Sequence, residues 1–125
     1  MTLFHTAPDG LQPAPHDARA LAAGQQITTH EVQLAQVEDK GSLMTALVAG
    51  LGLRPTFGHN WDALYDVLTD PAEFPDKSAI LLRHHEPFRQ RHPRLCEQLE
   101  GVLLDAQAEN REQGRQLWLL TDTPS

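Results

Sequence analysis

Residues 56–76 read TFGHNWDALYDVLTDPAEFPD. At about 100° per residue, Ala63, Leu64, Val67 and Leu68 share one side of a helix. Asp62, Tyr65, Asp66 and Thr69 share a sector of about 100° on the other side, with Trp61 at the boundary. The spacing predicts a helix over residues 58–70, closed by Pro71 and Pro75. The stretch carries Asp62, Asp66, Asp70, Glu73 and Asp76 and no Lys or Arg. Asp62 and Asp66, four apart, repel and weaken an isolated helix by a few tenths of a kcal/mol. Local stability therefore gives no reason for the pair. A tyrosine among charges on an exposed face has the composition of a binding hot spot. The plainer alternative is a solvated face, with Asp62 favoured near the helix N-terminus by the dipole.

Outward from this helix, the pattern alternates. Residues 26–37, QITTHEVQLAQV, place Ile27, Thr28, Thr29, Val32 and Leu34 in a strand pattern. Asp39 or Ser42 offers an N-cap for a helix whose apolar face is Leu43, Met44, Leu47, Val48 and Leu51. Gly50, Gly52 and Pro55 end it. Residues 78–83, SAILLR, have the form of a buried strand. A helical region over 86–113 is split at Pro93; Leu95, Leu99, Val102, Leu103 and Ala106 form one face, and Gly114 is a C-cap. Residues 116–120, QLWLL, form a last strand. The order β-α-α-β-α-β predicts an α/β fold, a small three-stranded parallel sheet with three to four helices and one sheet face left fairly open. Residues 1–25 carry Pro8, Pro13 and Pro15 without a steady apolar period. They read as a loosely packed N-terminal extension, with an added strand or hairpin as the alternative. The domain proper spans 26–122.

The chain has 125 residues, 10 Lys plus Arg and 17 Asp plus Glu, for a net charge of −7. That length is one domain. The acidic balance disfavours direct binding to nucleic acid or anionic membranes and suits a basic partner. A single cysteine, Cys96, excludes an internal disulfide, and the first residues lack the basic start and apolar run of a signal peptide. The cytoplasm is the expected location. The most apolar stretch, residues 43–53, is far shorter than the ~20 residues of a membrane span.

Residues 57–69, FGHNWDALYDVLT, resemble the barstar family of small intracellular ribonuclease inhibitors. The family pattern is an aromatic, Gly, any residue, Asn, an apolar residue, Asp-Ala-Leu, an aromatic, Asp, an apolar residue, then Leu-Thr. Phe57, Gly58, Asn60, Trp61, Asp62, Tyr65, Asp66 and Thr69 meet it, and the segment order over 26–122 agrees. The resemblance implies a three-stranded parallel sheet and a helix that, with its preceding loop, plugs the active site of a secreted microbial ribonuclease. It implies that Asp66 enters the nuclease's phosphate site. Asp62 and Tyr65 are then further contacts, Asn60 and Thr69 flank them, and Gly58 lets the loop turn close to the partner. A carboxylate fixed on a helix is a chemical stand-in for phosphate before Arg and Lys. The chain departs from the family's type member at four places: Thr56 stands for an aromatic, His59 for an acid, Tyr65 for a tryptophan, and Asp70-Pro71 for a Gly-aromatic pair. A further interface acid on the last helix falls on Asp105 by its apolar face or on Glu109 by the distance to Gly114. The implied partner is a basic ribonuclease or nuclease-like toxin, met by a free monomer.

Other constellations carry less. Residues 83–94, RHHEPFRQRHPR, read as a solvated or internally paired basic edge rather than an RNA site, with Phe88 as its one stacking aromatic. His84, His85 and His92, or His59 with Asp62, fall short of a metal set by spacing, so neither a metal nor another cofactor is expected. Ser42 and Ser78 lack a nucleophile-elbow context, Cys96 sits beside an apolar face, and no Gly-rich phosphate loop is present. An enzyme is not expected; a small hydrolase using His59, Asp62 and Asp66 would need a cleft around them.

Overall fold

The computed structural model describes residues 3–54 and 57–122. Pro55, expected to help end a helix, and Thr56, one of the departures, lie outside the described residues. The strands are β1 (Leu11–Pro13), β2 (Thr28–Gln33), β3 (Lys77–Arg83) and β4 (Gln116–Thr121). The helices are α1 (Ala18–Gly24), α2 (Lys40–Leu51), α3 (Trp61–Thr69), α4 (His85–Arg91) and α5 (Pro93–Glu112). A 3₁₀ turn at Leu3–His5 precedes them.

β3 and β4 are the centre of the sheet because they are apolar on both faces. All residues from 78 to 82 and from 117 to 121 are buried. Two-sided burial is the hallmark of parallel strands covered by crossover helices. The strand order is β1-β4-β3-β2, every pair parallel. Ile80 pairs with Leu119, and Val32 with Leu82.

Alternation along the strands splits the interior in two. Ile80, Leu82, Leu117 and Leu119 face a core shared with Leu43 and Leu47 of α2, Leu64 and Leu68 of α3, and Leu99 and Leu103 of α5. Ala79, Leu81, Trp118 and Leu120 face the opposite side, where Phe4, Ala18, Ala22 and Ile27 cover them.

The expected three strands are therefore corrected to four, and three to four helices to five, among the described residues. The extra elements come from residues 3–25, expected as a loose extension. The expected open sheet face carries this segment. Leu11 pairs with Leu119, and the Ala14 N–H donates to the Thr121 carbonyl at 2.8 Å. Gln107 of α5 accepts from the Gly10 N–H at 2.8 Å, and Gly10 adopts φ +68°, where glycine is unstrained. Pro13 is tolerated because it ends an edge strand. The physical reason for covering this face is Trp118: left bare, it and its neighbours would form an exposed apolar patch.

Local signals set the helix ends. Asp39 and Ser42 both serve at the start of α2, as the two halves of a capping box. The Ser42 N–H donates to Asp39 Oδ1 at 2.8 Å, and the Asp39 N–H to Ser42 Oγ at 3.1 Å. The Ser42 N–H first, and then its hydroxyl, hold the Asp39 carboxyl below the usual carboxylate range. Gly50 lets α2 lie on β2, since a Cβ there would sit 2.5 Å from the Glu31 carbonyl oxygen.

Candidate partner-binding face

α3 is positioned at both ends. At its start, Asn60 Oδ1 accepts from the Ala63 N–H at 2.7 Å, and Asn60 Nδ2 donates to the Gly58 carbonyl at 3.1 Å. Asn60 is thus a cap, which fixes where the helix begins. At its far end, Asn110 of α5 donates to the Leu68 carbonyl at 2.9 Å and Gln113 to the Thr69 carbonyl at 3.1 Å. Arg115, buried beside β4, donates to the Phe74 carbonyl at 2.6 Å and contacts Asp76 at 3.2 Å, pinning the loop that follows.

Between these anchors, Leu64 and Leu68 are buried while Asp62 and Asp66 are exposed. Neither carboxylate makes a hydrogen bond or ion pair with any described residue. The other acids nearby are partly used. Asp70 accepts from the Ala72 N–H at 2.9 Å, and Glu73 pairs with Arg54 at 2.7 Å. Thr69 Oγ1 donates back to the Tyr65 carbonyl at 2.9 Å.

Tyr65, expected on the exposed acidic face, is less open than that. Tyr65 is half-buried and packs against the main core. It borders a shallow depression with Asp105, Ala108, Glu109 and Glu112 of α5. The two positions that sequence left open, Asp105 and Glu109, thus flank the same tyrosine. Asp105 is exposed and its carboxylate has no partner among the described residues, whereas Glu109 accepts from Gln113 at 3.0 Å. Trp61 is half-buried with Lys40 Nζ 5.8 Å from its ring centroid, a cation–π distance.

The loop before α3 is shaped by close contact. Phe57 is buried, its ring centroid 5.6 Å from that of His59. The left-handed residue is His59, at φ +54°. Gly58 serves close approach instead: a Cβ there would meet Ala63 Cβ and Asn60 Nδ2 at 3.3 Å. Asp66 also borders a cleft of about 400 Å³ between this loop, the end of α2 and the turn after α3. Gly58, Phe57, Arg54 and Glu73 line it; His59 and Asp62 do not, among the described residues. The three groups of the hydrolase reading therefore do not converge on one cleft.

Most of the basic stretch is consumed inside the fold. Arg83 reaches Glu31 and Asp122 at 3.9 and 3.8 Å, Arg89 pairs with Glu86 at 2.5 Å, and Arg91 donates to the carbonyls of Leu34, Ala35 and Val37. His84, His85 and His92 do not form a metal set. The group of three that does converge, among the described residues, is His85, Cys96 and Glu100. Burial first, then the hydrogen bond and charge of Glu100, push the Cys96 thiol up to about 12. No helix among the described residues is long and apolar enough to cross a membrane.

The family model described as Barstar (barnase inhibitor) matches residues 27–122. The chain belongs to the barstar family. Comparison with curated proteins finds no match. The barstar match begins at Ile27, so the segment that covers the Trp118 face precedes it. It takes in α3, its preceding loop and α5, the elements that carry the free carboxylates.

Proposed function

We propose that this barstar-family protein is a stoichiometric inhibitor that plugs the active site of a basic microbial ribonuclease, acting by occlusion and not by catalysis. The observation that carries the reading is the pair Asp62 and Asp66, one turn apart on a helix anchored at both ends, exposed and without partners among the described residues. A carboxylate left unpaired on a rigid helix keeps its full affinity for a guanidinium or ammonium, and it loses no side-chain packing on binding. Asp66 takes the place of a substrate phosphate; its neighbouring cleft receives a partner side chain. Asp62, Tyr65 and the α5 acids extend the negative surface, which speeds encounter with a basic enzyme. Phe57, Gly58, His59, Asn60, Trp61 and Thr69 shape the surrounding contact surface. The protein works as a cytoplasmic monomer, with no cofactor taking part in the occlusion, guarding the cell that makes the nuclease.

Calorimetric titration against a small guanyl-preferring microbial ribonuclease tests this, with Asp66→Ala alongside. One-to-one binding with loss of RNA cleavage, strongly weakened in the variant, is expected. Equal affinity of wild type and Asp66→Ala overturns the mechanism. Absence of binding to any such ribonuclease, with Asp66-dependent binding to another basic toxin domain, replaces the nuclease by that toxin. Asp70 favours this second partner class: in place of a flexible glycine it braces the turn through the Ala72 N–H.

A further inference from the structure

We propose that His85, Cys96 and Glu100 form a binding site for a zinc-class divalent cation on the α4–α5 side of the molecule. Cys96 and Glu100 are four residues apart on α5, so one helical turn stacks thiol and carboxylate on the same face. His85, the first residue of α4, brings its ring across from the other side of the Pro93 break. His85 Nε2 lies 2.6 Å from Glu100 Oε2, Cys96 Sγ donates to the same oxygen at 3.2 Å, and Sγ lies 3.7 Å from Nε2. The three ligand atoms lie within 4.8 Å of one another.

These separations are close to what a shared ion requires. With metal–sulfur near 2.3 Å and metal–nitrogen near 2.0–2.1 Å, tetrahedral ligation places sulfur and nitrogen about 3.5 Å apart. The observed sulfur–nitrogen edge, 3.7 Å, is close to that length, so a small side-chain adjustment closes it. The carboxylate must draw back from the imidazole by somewhat under ~1 Å to reach metal–oxygen near 2.0–2.2 Å. Glu100 has the freedom to do so, being the most exposed of the three, while His85 and Cys96 are buried.

The ligand set selects the ion. One thiolate, one imidazole and one carboxylate form a borderline-soft triad that suits Zn²⁺ or Co²⁺ and disfavours Mg²⁺ and Ca²⁺, which take all-oxygen shells. Binding forms bonds to Sγ, Nε2 and a Glu100 oxygen and releases the thiol proton to solvent. Glu86 and Arg89 are the other charges nearby, and they pair with each other. The Glu100 carboxylate and the Cys96 thiolate then balance the ion's two positive charges. Three protein ligands leave a fourth position for water or for a donor from a partner.

Titration of the full chain with Co²⁺ tests the site. Cys96 is the sole cysteine, so a sulfur-to-cobalt charge-transfer band in the near ultraviolet reports this site alone. The expected result is a band saturating at one Co²⁺ per chain and displaced by one equivalent of Zn²⁺. Cys96→Ser abolishes it; Glu100→Gln, which keeps shape at a partly exposed position, weakens Co²⁺ binding by at least the roughly 10- to 100-fold that losing an outer-shell partner costs. Circular dichroism confirms that both variants fold. Absence of the band at millimolar Co²⁺ overturns the proposal and leaves the triad as a closed hydrogen-bond network. A band whose affinity is unchanged in Glu100→Gln also overturns it.

Discussion

Asn110 Nδ2 donates to the Leu68 carbonyl at 2.9 Å and to the Ala106 carbonyl at 2.7 Å, and the side chain is buried. One amide on α5 thereby satisfies a carbonyl of the last turn of α3, where no intrahelical donor remains. It fixes the acidic helix relative to α5 and so sets the spacing between Asp66 and the Asp105–Glu109 pair. Asn110→Ala removes the donor and leaves the Leu68 carbonyl buried and unmet, at a cost of about 1–3 kcal/mol. Urea denaturation checks this. The variant is expected to weaken nuclease binding less than Asp66→Ala, because it loosens the face without removing its charge.

Phe4 packs edge-on against Trp118, with ring centroids 5.3 Å apart and planes at 83°. This pair is the centre of the second core. Phe4→Ala is expected to destabilise the protein by about 2–4 kcal/mol, somewhat under a full core truncation because the terminal turn can collapse into the space. Phe4 and α3 lie on opposite faces of the sheet, so the affinity of the folded protein for a nuclease is expected to be unchanged. A loss below about 0.5 kcal/mol, typical of an exposed position, would show that residues 3–25 are peripheral to the fold.

What could be read in advance depended on how far each signal travels along the chain. Leu64 and Leu68 went to the core as their period required, since a nine-residue helix with one apolar stripe has one way to face a sheet. Asp39 and Ser42, offered as alternative caps, act together because capping is settled within four residues. β1 was illegible. Three residues ending in proline carry no alternation, and the strand is held by β4, more than a hundred positions away. A helical wheel puts Tyr65 on the exposed face because it contains no neighbouring helix; α5 takes up part of that face. Cys96 and Glu100 are recognisable as an i, i+4 pair. Their third member lies beyond Pro93, and only the turn there brings His85 back.

His30 on β2 stacks on Phe74, with ring centroids 4.8 Å apart, and its Nε2 is buried without a hydrogen-bond partner among the described residues. Burial, and secondarily the positive charge of Arg19, lower its affinity for a proton below the ordinary histidine value. The unfolded chain therefore binds the His30 proton more readily than the folded one at pH values below about 6.5. The sign follows: this contribution favours the fold fully above that value and is lost as pH falls toward the lowered folded value. The wild-type protein is expected to lose more stability than His30→Gln between about pH 7.5 and pH 5.5. Equal pH slopes in urea denaturation would remove His30 as the cause.

Asp105 and Glu109 both border Tyr65, but among the described residues only Glu109 has a partner, in Gln113. An acid already engaged must give up that bond, or share it, before meeting a partner's cation. Asp105 gives up only water. Asp105→Ala is therefore expected to weaken nuclease binding about twofold to fivefold, equivalent to about 0.5–1 kcal/mol for an exposed charge pair. Most of the effect should fall on the association rate and fade as salt screens the surface field. Glu109→Ala should change the rate less, while lowering stability slightly through the lost bond at the end of α5. Stopped-flow association at two salt concentrations separates the two residues. A larger, salt-sensitive rate loss in Glu109→Ala would reverse the assignment and make the residue nearer Gly114 the interface acid.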